Sequence, residues 1–380
     1  MKIVVAIDSF KGSLSTQEAA KAIREGARRA CPEAEVYTSP LADGGEGTAE
    51  ALTAALGGET VSLTVRDPLG RPVTATYGFV AETSTAVMEM AAAAGLPLLS
   101  AEERNPLETS TYGVGQMIAD AMEKGAHRFL LGIGGSATND GGLGMLKALG
   151  FAFLDKDGRP IGEGARALKD LHTIEAKNAH PLLAGCEFLV ACDVQNPLCG
   201  ENGCSAVFSP QKGAKDEDIP RMDEWLAAYA EKTKALLPHA DPSLPGSGAA
   251  GGLGFALCSY LNATLASGVS LVLDVTRLAA HVKDADLVIT GEGRLDSQSA
   301  MGKAPIGVAK LAKEFCKPVV AFCGCVGKGA IACNAHGIDA YFPILQAPCT
   351  LSEAMNKENA YRNLSATAEQ AVRLFAIHRF

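Results

Sequence analysis

The sequence predicts an α/β protein with parallel-sheet segments near both chain ends and a region of different character between them. Two observations carry this expectation. Strand and helix patterns alternate over the first sixty residues and again from about residue 287, and a period-two pattern with turn signals replaces that alternation after Thr60. A third observation concerns the loops: polar, glycine-bearing segments follow strand ends at Asp8, Asp43, Gly134, Asp193 and Gly291. In open α/β sheets ligands bind beyond the carboxyl ends of the strands.

The elements follow in order. Ile3 to Ile7 is an apolar strand, and Ser15-Thr-Gln-Glu18 is a capping box opening an alanine-rich helix through Arg29. A strand near Glu35 to Tyr37 leads through Ala42-Asp43-Gly44-Gly45-Glu46-Gly47 into a helix from Thr48 to Leu56, stopped by Gly57-Gly58. Val61, Leu63 and Val65 then alternate with polar residues, and Asp67-Pro68-Leu69-Gly70 reads as a turn. Runs at Val73 to Val80 and Ala86 to Met90 complete an antiparallel meander. The change of rhythm predicts a boundary between residues 60 and 70.

Helical spacing returns over Tyr112 to Glu123, and strand Phe129 to Ile133 delivers the glycine-rich segment Gly134 to Gly142. Strand Phe188 to Ala191 delivers Cys192-Asp-Val-Gln-Asn-Pro197, and a Pro/Gly/Ser-rich stretch near Pro238 to Gly252 precedes a helix ending around Ser267. Strand Leu287 to Thr290 opens into a loop from Gly291 to Asp296. Helix Pro305 to Phe315, strands Pro318 to Cys323 and Ala340 to Ile344, and helix Ala360 to His378 close the chain.

Composition removes several function classes. The 380 residues are 47% apolar and 20% charged, which fits a folded globular chain rather than a disordered one. Net charge is -9 and no basic stripe is interleaved with aromatics, so neither nucleic acid nor a membrane surface is an expected partner. Eleven scattered cysteines without CxxC pairs suggest reduced thiols, and Met1 leads straight into a strand with no leader pattern. The expectation is a cytoplasmic protein acting on a small molecule. An acidic protein binds anions through backbone amides and a few placed cations.

The segment from Gly134 to Gly142 is the best candidate for that role, with Gly134 and Gly135 allowing close approach and Ser136 and Thr138 adding hydroxyls. A rival reading exists, because Gly132-x-Gly134-x-x-Ala137 followed by Asp155 imitates a dinucleotide fingerprint and points to a dehydrogenase. No Gly-x-x-x-x-Gly-Lys-Ser/Thr sequence and no protein-kinase motif set occurs. Asp193 and Asp296 are the carboxylates suited to hold Mg²⁺ and accept a hydroxyl proton, while Lys11 and Lys303 offer cations for phosphoryl transfer. Each loop also has a plain reading as a turn or helix cap.

Seven segments, taken in order, carry a family resemblance: Asp8 to Ser13, Ala42 to Thr48, Asp67 to Arg71, Gly134 to Gly142, Cys192 to Pro197, Gly248 to Gly254, and Thr290 to Asp296 with Gly302-Lys303. Together they resemble the signature series of the bacterial type I glycerate kinases. The resemblance implies ATP-dependent phosphorylation of D-glycerate, usually to 2-phosphoglycerate, with ATP and Mg²⁺ as cofactors. It also implies a flavodoxin-like domain of residues 1–65 and 271–380, with a second α/β domain, 66–270, inserted into it.

On this basis Asp193, Asp296, Lys11 and Lys303 are expected to be catalytic, with Asp193 and Asp296 also on the metal. Asp8, Ser9, Asp43, Glu46 and Arg66 are expected at the substrate. Gly134, Gly135, Ser136, Thr138, Asn139, Asp140, Gly291 and Glu292 are expected at the nucleotide. A related hydroxy acid, 3-phosphoglycerate as product, a dehydrogenase and a non-catalytic nucleotide-binding regulator stay open as alternatives, as does a homo-oligomer.

Overall fold

A computed structural model describes residues 1–10, 12–41 and 47–377. In chain order the strands are β1 (Lys2–Ile7), β2 (Glu35–Pro40), β3 (Glu59–Arg66), β4 (Pro72–Val80), β5 (Thr85–Glu89), β6 (Arg128–Gly132), β7 (Ala152–Leu154), β8 (Thr173–Glu175), β9 (Glu187–Ala191), β10 (Thr264–Ala266), β11 (Leu287–Leu295), β12 (Val319–Val326) and β13 (Ala340–Pro343). The chain divides into two compact units, one of Met1–Asp43 with Val269–Phe380 and one of Gly44–Gly268.

The first unit is built on an all-parallel sheet in the order β13-β12-β11-β1-β2. Numbered within this unit alone, the order is 2-1-3-4-5, the flavodoxin-like arrangement. Its strands are apolar on both faces, as sheets covered by helices on both sides require: Ile3, Val4, Val5, Ala6 and Ile7 are all buried. On one face the helices Thr16–Ala30 and Lys357–Ala376 pack together. Their approach is close at Gly26, where a Cβ would run into the backbone of Ser365. Ser15 and Glu18 form the reciprocal cap that the sequence predicts.

The second unit holds a mixed sheet in the order β10-β9-β6-β5-β4-β3, with β3, β4 and β5 antiparallel and β5, β6, β9 and β10 parallel. The β3–β4 hairpin closes through Asp67, whose Oδ1 accepts from the N–H groups of Leu69 and Arg71 at 2.8 and 2.9 Å. Its Oδ2 takes the Arg71 Nε–H at 2.6 Å. One large core cluster joins the helix Tyr112–Glu123 to one face of this sheet through alternate residues such as Ala86 and Met88, with Phe129 and Phe188 stacked at 4.6 Å between adjacent strands.

Three expectations are corrected. β3 pairs with β4 from Glu59↔Phe79 to Arg66↔Pro72, so the helix Thr48–Ala55 and β3 belong to the second unit, and the division falls some twenty residues before 65. The change of hydrophobic rhythm marks where the sheet becomes half-exposed, not where the chain leaves the first unit. The predicted helix to Ser267 ends at Leu261, and Thr264–Ala266 pairs with β9 instead. Finally, Gly291 to Leu295 is strand rather than loop, because β12 continues alongside it as far as Leu295↔Val326.

Candidate active site

In the first unit the strand order reverses between β1 and β11, so the chain leaves these two neighbours in opposite directions and opens a crevice at their carboxyl ends. A cavity of about 440 Å³ lies there. Asp8 and Ser9 enter it from the end of β1, Glu292 and Arg294 from β11, Asp296 and Lys303 from the segments beyond, and Leu351 and Met355 form an apolar wall. The Asp8 N–H donates to the Gly291 carbonyl at 3.0 Å, tying the two strand ends together, and the Asp8 Oδ1 accepts from the Ser9 N–H at 2.6 Å.

Asp296 is heavily engaged. Its Oδ1 accepts from the N–H groups of Gln298 and Ser299 at 2.9 and 3.3 Å as the cap of helix Ser297–Ala300, and its Oδ2 pairs with Arg294 Nε at 3.1 Å. A carboxylate with about four acceptor sites retains one for a ligand.

Glu292 is different. It is 9% exposed, lines the cavity, and its Oε1 is buried without a hydrogen-bond partner. Burial holds its carboxyl above the ordinary range, Asp8 and Asp296 push the same way, and Ser299 and Lys303 oppose them. The ammonium of Lys303 is half-buried in the same cavity, with no hydrogen bond or ion pair among the described residues. A poised acceptor and a cation in one small cavity suit an acid that also carries a hydroxyl.

The loop after β6 lies in the second unit. Gly134 and Gly135 are exposed, and Gly135 has φ 71°, a backbone that favours glycine. Beyond them the chain turns inward: Ser136 is 6% exposed, and Thr138, Asn139 and Asp140 are fully buried. Asp140 accepts from Thr111 N and Oγ1 at 2.9 Å each and from Gly142 N and Gly144 N at 3.1 Å each. Burial raises its pKa, and these donors counter the rise.

Asn139 donates to Ser205 Oγ at 2.9 Å. Of the residues expected at the nucleotide, Asn139 and Asp140 therefore brace the loop from within, whereas Gly134 and Gly135 present backbone outward. The Gly248–Gly254 segment explains itself here: Ala250, Gly251 and Gly252 take positive φ, and the Gly251 carbonyl accepts from Gly141 N at 2.9 Å.

The other expected residues fall as follows. Asp193 is exposed beyond β9, and its Oδ1 accepts from the Gly268 N–H at 3.1 Å. Arg66 donates to Glu163 Oε1 at 3.1 Å and lies 4.3 Å over the Tyr112 ring, so its guanidinium is already engaged. Gly291 sits within β11, where a Cβ would collide with the Phe322 carbonyl. Lys11, Asp43 and Glu46 lie outside the described residues.

Lys212 was not foreseen. It is 2% exposed and donates to Ser136 Oγ at 2.8 Å and to the Thr138 carbonyl at 2.6 Å. A lysine between proline and glycine in a polar turn looks like solvent-facing surface, and no local signal marks it.

The dehydrogenase reading does not survive this geometry. β7, which follows the glycine loop, does not join β6 as a parallel neighbour; it pairs with β8 in a separate two-stranded sheet. Asp155 closes the turn that follows by accepting from Asp157 N and Arg159 N at 2.8 Å each, so it is a turn residue and not the acid at the end of a neighbouring parallel strand that the fingerprint needs.

Residues 3–376 match the sequence model of the Glycerate kinase family. The chain belongs to the glycerate kinase family. It is 48% identical to the glycerate 2-kinase of Escherichia coli strain K12 over 373 residues, covering 97% of this chain and 98% of that protein. It is 47% identical over 371 residues to the glycerate kinase of Halalkalibacterium halodurans, covering 96% and 98% of the two chains. A crystal structure described as a candidate glycerate kinase 2 from Salmonella typhimurium LT2 superimposes with a TM-score of 0.91 at 44% identity, over 100% of this chain and 99% of that one. This glycerate kinase family member is thus an enzyme of the phosphotransferase class.

Proposed function

We propose that the enzyme transfers the γ-phosphoryl group of ATP to the 2-hydroxyl of D-glycerate, giving 2-phosphoglycerate and ADP. The observation that carries this reading is the uncommitted, buried Oε1 of Glu292 in a cavity that also holds the Lys303 ammonium. In this account Lys303 and Arg294 attract the glycerate carboxylate, and Asp8 and Ser9 orient its hydroxyls. Glu292 accepts the proton of the attacking hydroxyl as its oxygen bonds to the γ-phosphorus and the bond to the ADP oxygen breaks.

Glu292 takes the base role here in place of Asp296, whose oxygens are mostly committed to its cap and to Arg294. The exposed Gly134–Gly135 backbone, with Ser136 beside it, is the proposed seat of the ATP phosphates. The position of phosphorylation rests on the name of the Escherichia coli relative.

Among the described residues no three acidic, histidine or cysteine side chains gather as a metal cage. Mg²⁺ is commonly held by one or two carboxylates together with phosphate oxygens. The remaining acceptor site of Asp296 would help to hold it. When bound, Mg²⁺ offsets charge on the phosphate oxygens.

No helix among the described residues is long and apolar enough to cross a membrane, and all eleven cysteines are free thiols. We propose a cytoplasmic location, where thiols stay reduced. The test is ADP release measured across a panel of small hydroxy acids, with NMR of the product. D-Glycerate giving 2-phosphoglycerate supports the reading. Preference for another hydroxy acid, 3-phosphoglycerate as product, or nucleotide binding without turnover each refutes it.

A further inference from the structure

Lys212 poses a physical problem that the reading above leaves unsolved. The residue is 2% exposed, and the hydrogen-bond partners of its ammonium are two neutral oxygens, Ser136 Oγ and the Thr138 carbonyl. Among the described residues it forms no ion pair. The charged or titratable groups that act on it are Asp140, whose carboxylate is bound to Thr111, Gly142 and Gly144, and the buried thiol of Cys204. Burying a cation with so little compensation is strongly unfavourable unless an anion completes the arrangement.

The direction of the hydrogen bonds shows where that anion belongs. An ammonium only donates, so Ser136 Oγ must accept from Lys212, and the Ser136 hydroxyl proton is left for another acceptor. Ser136 directly follows the exposed pair Gly134 and Gly135. The Thr138 Oγ1 is likewise buried without a partner.

We propose that Lys212 is a positioning residue for nucleotide phosphate, a buried cation that supports the Gly134–Thr138 loop from behind and orients the Ser136 hydroxyl outward to a phosphate oxygen. This rests on the reading that the loop holds the nucleotide. The charge explains how a protein of net charge -9 favours a polyanion at a loop bearing no basic residue of its own. It also predicts a proton linkage. Burial lowers the Lys212 pKa to about 8, with Asp140 and Cys204 opposing the fall. A bound anion favours the ammonium and raises that pKa. The favourable interaction is therefore complete below about pH 8 and is lost as pH rises through the higher value of the complex.

The experiment is ADP binding to the full chain by titration calorimetry between pH 7 and 9.5, where the ADP phosphates are essentially ionised above pH 8. Wild type is expected to take up protons on binding near pH 8, seen as a heat that varies with buffer ionisation enthalpy, and to lose affinity above it. Lys212→Arg should abolish that uptake, and Lys212→Met should weaken ADP about tenfold or more at pH 7 while glycerate KM changes little. The proton uptake is read on wild type, so a variant that fails to fold does not remove the test.

No uptake in wild type, or unchanged ADP affinity in a folded Lys212→Met, overturns the assignment. In that case Gly135→Val separates the two ideas. If it weakens ADP, the loop reading stands and only the lysine's role falls; if ADP affinity is unmoved, the loop reading falls with it.

Discussion

Replacing Glu292 by Gln keeps the shape of the side chain and removes its capacity as a base. The carboxyl is 9% exposed with Oε1 unpartnered, and burial, Asp8 and Asp296 all raise its pKa. The magnitude expected for losing a general base is about 10²- to 10⁴-fold in kcat.

The sign of the stability effect runs the other way. A carboxyl whose pKa is raised on folding binds more protons folded than unfolded. Its contribution is therefore most favourable at low pH and is lost as pH rises through the raised value. Above the raised value the ionised form is the unfavourable one, so there Glu292→Gln should hold or raise Tm while kcat collapses.

In wild type, kcat/KM should climb with pH through the raised Glu292 pKa and then level, and the variant should lack that limb. The assay is coupled ADP release with saturating D-glycerate, alongside thermal unfolding. A kcat within a few-fold of wild type refutes the base assignment, and a large loss matched by a fall in Tm assigns Glu292 to structure instead.

Further outcomes can be stated. Asp296→Asn keeps a competent helix cap, so it should raise the Mg²⁺ concentration for half-maximal rate more than it lowers kcat at saturating metal; an unchanged Mg²⁺ dependence removes Asp296 from the metal. Arg66→Ala should leave the KM for D-glycerate within a few-fold, since Glu163 and Tyr112 already engage the guanidinium; a tenfold rise would return Arg66 to the substrate.

Gly26→Ala should destabilise by about 1–3 kcal/mol, because the added methyl meets the Ser365 backbone and forces two packed helices apart. Unfolding in denaturant would measure it. A gain of stability, as for an exposed helical glycine, would refute the close packing.

What the residues determined by themselves is what depends on neighbours a few positions away. The Ser15–Glu18 cap, the Asp67 turn and the helix Tyr112–Glu123 rest on short-range hydrogen bonds or on periodicity, and each was legible before any fold was known. The glycine-rich loop after β6 was legible for the same reason, whereas the loop expected from Gly291 is strand.

Tertiary structure decided what depends on partners distant in the chain. β11 continues to Leu295 because β12 hydrogen-bonds alongside it, and β3 joins the second unit because β4 pairs with it. Asp140 faces inward to Thr111, while Glu292 is left with an unpartnered oxygen. Lys212 is buried beneath a loop some seventy positions earlier. Burial and unsatisfied hydrogen bonds are properties of a packed surrounding, and a local run of residues does not encode them.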